Sequence, residues 1–151
     1  MIRTQRRIRL CATLLACNLA FIWGNSMLPG ELSGQLSDWV KGLLALLFEQ
    51  DPNASSGGGL LRKLAHFTEF ACLGMLLHWL FAMLDKRPVL AFLLGTAAAC
   101  VDETIQRFVP DRGPSVKDVL IDASGVLTGM LLLYLGHTIR KRRSAKNHLE
   151  E

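Results

Sequence analysis

The sequence predicts an all-α integral membrane protein: a four-transmembrane-helix bundle with an interfacial amphipathic helix between helices 1 and 2. Half of the 151 residues are hydrophobic and the mean hydropathy is +0.29, more apolar than a soluble domain of this length needs for its core. Four apolar runs approach the roughly 17–25 residues that cross a bilayer as a helix. Three of them carry ionisable residues near the same end, where a charge inside a bilayer must face another charge, water or a ligand. The reading is one membrane domain at residues 8–139, with basic tails at 1–7 and 140–151.

The first span is expected over residues 8 to about 23 and contains Asn18. Leu14-Leu15-Ala16-Cys17 after a basic N-terminus is similar to a lipoprotein cleavage box. The apolar stretch runs on through Asn18 to Trp23, which favours an uncleaved signal anchor. Next, Leu36, Trp39, Val40, Leu43, Leu44 and Leu47 recur at helical spacing opposite Gln35, Asp38 and Lys41, so an interfacial helix is expected near residues 34–48. The Asp51-Pro52-Asn53-Ala54-Ser55-Ser56-Gly57-Gly58-Gly59 segment breaks any helix and connects to span two.

Span two is expected over residues 64–84, and the short Asp85-Lys86-Arg87-Pro88 turn makes spans two and three antiparallel neighbours. Span three is expected from 89 to about 109, clean of charge until Asp102 and Glu103. Two prolines and a glycine in residues 107–115 exclude a continuous helix there. Span four follows at 119–139, with Ser115 placed to cap it and Asp118 favourable in its first turn.

Eleven of the seventeen Lys and Arg lie before or at the start of span one, in the turn after span two, or after span four. The positive-inside rule therefore predicts a multi-pass membrane protein with both termini cytoplasmic. The basic tails abut membrane spans and carry no DNA or RNA recognition motif, so they read as topology signals or contacts with anionic membrane lipids, and no nucleic acid partner is expected. Cys11, Cys17, Cys72 and Cys100 fall within apolar runs without C-x-x-C spacing and read as packing residues.

The chemistry concentrates in Lys63-x-x-His66-x-x-Glu69, Asp102-Glu103-x-x-Gln106 and Asp118-x-x-x-Asp122. At 100° per residue, Asp118, Asp122, Gly125 and Gly129 fall within about 60° of arc, so a small-residue packing face and a polar face coincide. Gly95, Ala98, Asp102 and Gln106 repeat that arrangement on span three. Five crowded carboxylates must be protonated, paired with Lys63, Arg112, Lys117 or His66, or bound to a cation. The readings left open are an interhelical salt-bridge scaffold, a pocket for the polar head of an amphiphile, a cation site at His66, Glu69 and the aspartates, and acid–base chemistry at His66. With no tight metal spacing such as H-E-x-x-H and no cofactor motif, no metal and no cofactor are assigned. There is no G-x-S-x-G elbow for a serine nucleophile.

These segments resemble the VanZ-like family of small membrane proteins, named for a member associated with resistance to the lipoglycopeptide teicoplanin. The resemblance rests on Lys63-Leu64-Ala65-His66-Phe67-Thr68-Glu69-Phe70, on residues 102–112 from Asp102-Glu103 to Asp111-Arg112, and on Asp118-Val119-Leu120-Ile121-Asp122 with Gly125 and Gly129. A looser echo lies at residues 21–29, around Ser26. Where this chain has Asp122, the family pattern more typically has Asn. The resemblance implies a bacterial envelope protein. The expected function is non-enzymatic: binding or shielding an amphiphilic ligand, either a lipid-linked cell-wall component or a lipoglycopeptide, with a contribution to teicoplanin resistance. In that reading Lys63, Arg112 and Lys117 hold anionic groups, and His66, Glu69, Asp102, Glu103, Asp118 and Asp122 position them. The competing readings are an intramembrane enzyme acting on a lipid-linked phosphate or sugar and a structural membrane scaffold. A homodimer through Gly125-x-x-x-Gly129 also stays open.

Overall fold

A computed structural model gives the fold and describes residues 2–35, 38–40 and 58–150. Four long helices, α1 (Ile2–Ser26), α2 (Gly58–Met83), α3 (Pro88–Gln106) and α4 (Val116–Glu150), make up the bundle, and no strand occurs among the described residues. All four are long and apolar enough to cross a membrane. Residues 30–35 and 38–40 are also helical. The interfacial helix expected near residues 34–48 otherwise falls outside the described residues.

The helices overrun the apolar runs that announced them. α1 begins within the basic N-terminal cluster, and α4 continues past residue 139 through Arg140 to Arg143. Hydropathy marks where a helix meets lipid, whereas Arg and Lys are good helix formers and let the helix continue into water. α3 ends at Gln106, earlier than expected, and closes with the Arg107 N–H donating to the Glu103 carbonyl at 3.2 Å and the Phe108 N–H to the Ile105 carbonyl at 3.0 Å. Pro88 starts α3 after an extended Arg87. The preceding turn is completed by Asp85 at φ 53°, a left-handed conformation that Asp tolerates better than most residues. Ser115 caps α4, its Oγ accepting from the Lys117 N–H at 3.2 Å.

α2 and α4 form the most extensive helix pair, and glycines let their backbones touch. A Cβ at Gly74 would fall on the Val126 carbonyl, one at Gly129 on the Ala71 carbonyl, and one at Gly125 would lie 2.5 Å from the Phe67 oxygen. Gly95 of α3 receives the Val126 side chain, whose Cγ1 would lie 2.6 Å from an added Cβ. The Gly125-x-x-x-Gly129 face is thus used inside the chain, so a homodimer would need another surface. Ile22, Phe70, Leu73, Leu77, Ala91, Ala99, Val126 and Met130 form the apolar core.

The exterior is equally apolar along the spans. Leu93, Leu94, Leu120, Leu127, Leu131 and Leu132 are exposed, while Ser26, Asp102, Glu103, Gln106 and Asp122 are buried. A soluble domain reverses that distribution, whereas a bundle in lipid needs apolar side chains outward and polar ones satisfied within.

Candidate functional site

The polar cluster forms where α1 and α3 end and α2 and α4 begin. Its centre is Asp102, fully buried on the last turn but one of α3. Ser26 Oγ, from the last residue of α1, donates to Asp102 Oδ2 at 2.8 Å, and Gln106 Nε2, one turn further along α3, donates to the same oxygen at 2.8 Å. Gln106 Nε2 also lies 3.4 Å from Ser26 Oγ. These donors stabilise a carboxylate that burial alone would strongly disfavour.

His66 stands between two carboxylates, its Nδ1 3.8 Å from Asp102 Oδ2 and 3.9 Å from Glu69 Oε2. Neither separation is a hydrogen bond. Glu69 Oε1 accepts from Asn25 Nδ2 at 3.0 Å, so the end of α1 holds both Asp102 and Glu69 through adjacent residues. Glu103 turns the other way, accepting from the Ser115 N–H at 2.7 Å and tying the end of α3 to the start of α4. Lys63 Nζ lies 3.4 Å from Asp118 Oδ1 at the rim. Asp122 is buried, 2% exposed, on the face of α4 that meets His66 and Asp102.

Arg112, in the loop between α3 and α4, reaches back over the cluster, and its Nη2 donates to the Asn25 carbonyl at 3.2 Å. Its Nε and Nη1 are buried without a hydrogen-bond partner among the described residues. Burial first, and then the charge of Arg62, lower the Arg112 pKa from its ordinary value, although a guanidinium stays ionised. Two cations held close with donors to spare favour an anion between them.

A cavity of ≈ 410 Å³ opens beside this group. Arg62, His66, Glu69, Arg112 and Asn25 contribute its polar lining, whereas Leu61, Leu64, Ala65 and Val40 make an apolar flank.

The sequence-derived candidates therefore separate. His66, Glu69 and Arg112 line the large cavity; Asp102, Gln106 and Asp122 lie buried behind it; Glu103 and the Lys63–Asp118 pair brace its α4 side. Lys117 is exposed and lines none of these spaces. It stands on the first turn of α4 beside Asp118, which pairs with Lys63. Ser26, Asn25 and Arg62 join the site without having been singled out for it. Ser26 and Asn25 give no periodic signal, since each is an ordinary polar residue at the end of an apolar run. The adjacency of Arg62 to Lys63 was the signal available for the third.

An inside-out helical bundle with a buried polar cluster at one end defines a multi-pass membrane protein. The chain matches the VanZ/LLP1 family model over residues 11–137 and belongs to that family. Comparison with curated proteins and with solved structures gives no match.

Proposed function

We propose that this protein works in the bacterial plasma membrane, both termini cytoplasmic, and binds the anionic head of an amphiphilic envelope ligand in the cavity beside Arg112. The ligand class is a lipid-linked cell-wall component or a lipid-tailed glycopeptide antibiotic such as teicoplanin. The observation that carries this reading is the pair of buried, unpartnered donors on Arg112, a residue that lines, with Arg62, a cavity flanked by Leu61 and Leu64. An unmet buried donor is costly, and a phosphate or carboxylate satisfies two guanidinium N–H groups at once. The leucines offer a path for an acyl chain towards lipid. Most basic residues lie at the opposite end of the bundle, which supports an outward-facing cavity.

The test is antibiotic susceptibility in a sensitive Gram-positive host expressing wild-type, Arg112→Gln or Glu69→Gln protein at matched membrane levels. Vancomycin, without the lipid tail, is the control. Protection confined to teicoplanin and lost in both variants is the expected result. Absence of wild-type protection would sink the resistance function and leave endogenous envelope lipids as the ligand class.

A second reading, an intramembrane enzyme acting on a lipid-linked phosphate or sugar, is favoured by one observation: His66 lines the cavity with Nδ1 unpartnered and two carboxylates within 4 Å. It predicts turnover that His66→Gln abolishes while binding persists. A protein that only binds would show no turnover to lose.

A further inference from the structure

Behind the large cavity, His66, Asp102 and Asp122 each offer one ligand atom, and the three atoms lie within 4.8 Å of one another. They come from α2, α3 and α4, so the group exists only once the bundle is assembled. Asp102 is fully buried and Asp122 is 2% exposed. Asp102 Oδ2 is occupied by Ser26 and Gln106, whereas its Oδ1, like His66 Nδ1, has no hydrogen-bond partner among the described residues. A small cavity of ≈ 10 Å³ touches both His66 and Asp122, about the room that one water or one ion requires.

We infer that His66, Asp102 and Asp122 form a site for a single divalent transition-metal cation, Zn²⁺ or Mn²⁺. Of the nearby basic groups, Lys63 pairs with Asp118, Arg112 donates to Asn25 and lines the large cavity, and Arg62 lines both cavities. Among the described residues neither Asp102 nor Asp122 forms an ion pair with Lys or Arg, and two buried carboxylates call for a positive charge. One imidazole nitrogen with carboxylate oxygens suits Zn²⁺ or Mn²⁺ better than Ca²⁺ or Mg²⁺, which prefer all-oxygen sets. Bonds of about 2.0–2.2 Å in tetrahedral geometry place ligand atoms about 3.3–3.6 Å apart, so side-chain motion of up to about 1.5 Å closes the set. Ser26 and Gln106 supply the outer hydrogen bonds that orient a ligating carboxylate. This inference is independent of the amphiphile reading.

The experiment uses the full chain, purified in a neutral detergent, tag-free and stripped with chelator. Zn²⁺ is titrated by calorimetry and Co²⁺ by visible absorption. The expected result is one ion per chain, a Co²⁺ spectrum of nitrogen and oxygen ligation without a thiolate charge-transfer band, and affinity about 100-fold or more weaker in His66→Ala and Asp122→Asn. Asp85→Asn, at the opposite end of the bundle, should bind as wild type. No stoichiometric uptake, a thiolate-dominated spectrum, or unchanged affinity in the two folded variants would overturn the inference. If the variants do not fold, the wild-type Co²⁺ spectrum decides it.

Discussion

Gly129→Ala tests the packing that brings α2 and α4 together. The added Cβ would land on the Ala71 carbonyl, closer than any real Cβ contact, and the obstacle is helix backbone that cannot rotate aside. Relief requires the two helices to separate, an overpacking cost of about 1–3 kcal/mol. Gly136 is the internal control, since a Cβ added there would meet nothing within 4 Å and no glycine among the described residues needs a positive φ. Gly136→Ala should therefore stay within about 0.5 kcal/mol of wild type. Equilibrium unfolding from mild-detergent micelles into SDS, followed by tryptophan fluorescence, is the appropriate assay. Helices persist in SDS, so intrinsic propensity largely cancels and packing remains. Equal stabilities for Gly129→Ala and Gly136→Ala would refute the close α2–α4 contact and the register it imposes on Asp122 and His66.

The same assay checks the polar end. Ser26→Ala removes a donor from a buried carboxylate and should lower stability by about 1.5–3 kcal/mol, the range for hydrogen bonds to charged groups; a loss below about 0.5 kcal/mol, on the order of a neutral surface change, would show that the Ser26–Asp102 bond is not formed. Ser115→Ala should cost about 1 kcal/mol through the lost cap of α4, with faster amide exchange confined to the first turn as the local readout. Lys63→Ala breaks a partly exposed pair and should cost no more than about 1 kcal/mol, diminishing further in high salt; a larger, salt-independent loss would place Lys63 deeper in the network than its geometry indicates.

Much of the architecture was legible because a bilayer imposes simple rules. Length and apolarity marked four spans, and the tight Asp85–Pro88 turn fixed one antiparallel pair. The carboxylate on α4 was legible with its glycines: Asp118, Asp122, Gly125 and Gly129 share a face by helical period, so close packing of that face carries Asp122 inward. Contributions from α1 were not legible. Ser26 lies 76 residues from Asp102, and no spacing rule links a helix-terminal serine to a distant aspartate. α1 and α4 extend beyond the expected spans because the basic residues that end a membrane span do not end a helix. Lys117, a cation near the cluster in sequence, is exposed on the first turn of α4. Arg112 was recognised as a pairing group, yet its two unmet donors emerge only when Asn25 and the cavity are placed beside it.

The most direct measurement is a binding titration of the detergent-solubilised chain with a long-chain alkyl phosphate, and in parallel with the alcohol of the same chain length. Wild type, Arg112→Gln and Lys117→Gln are compared by native mass spectrometry. One phosphate amphiphile per chain is expected, preferred over the alcohol. Affinity should fall about 10-fold or more in Arg112→Gln, as the loss of a charged hydrogen bond of about 1.5–3 kcal/mol requires, and should not change in Lys117→Gln. Equal binding of phosphate and alcohol, or an Arg112→Gln variant that binds the phosphate as wild type does, would contradict it.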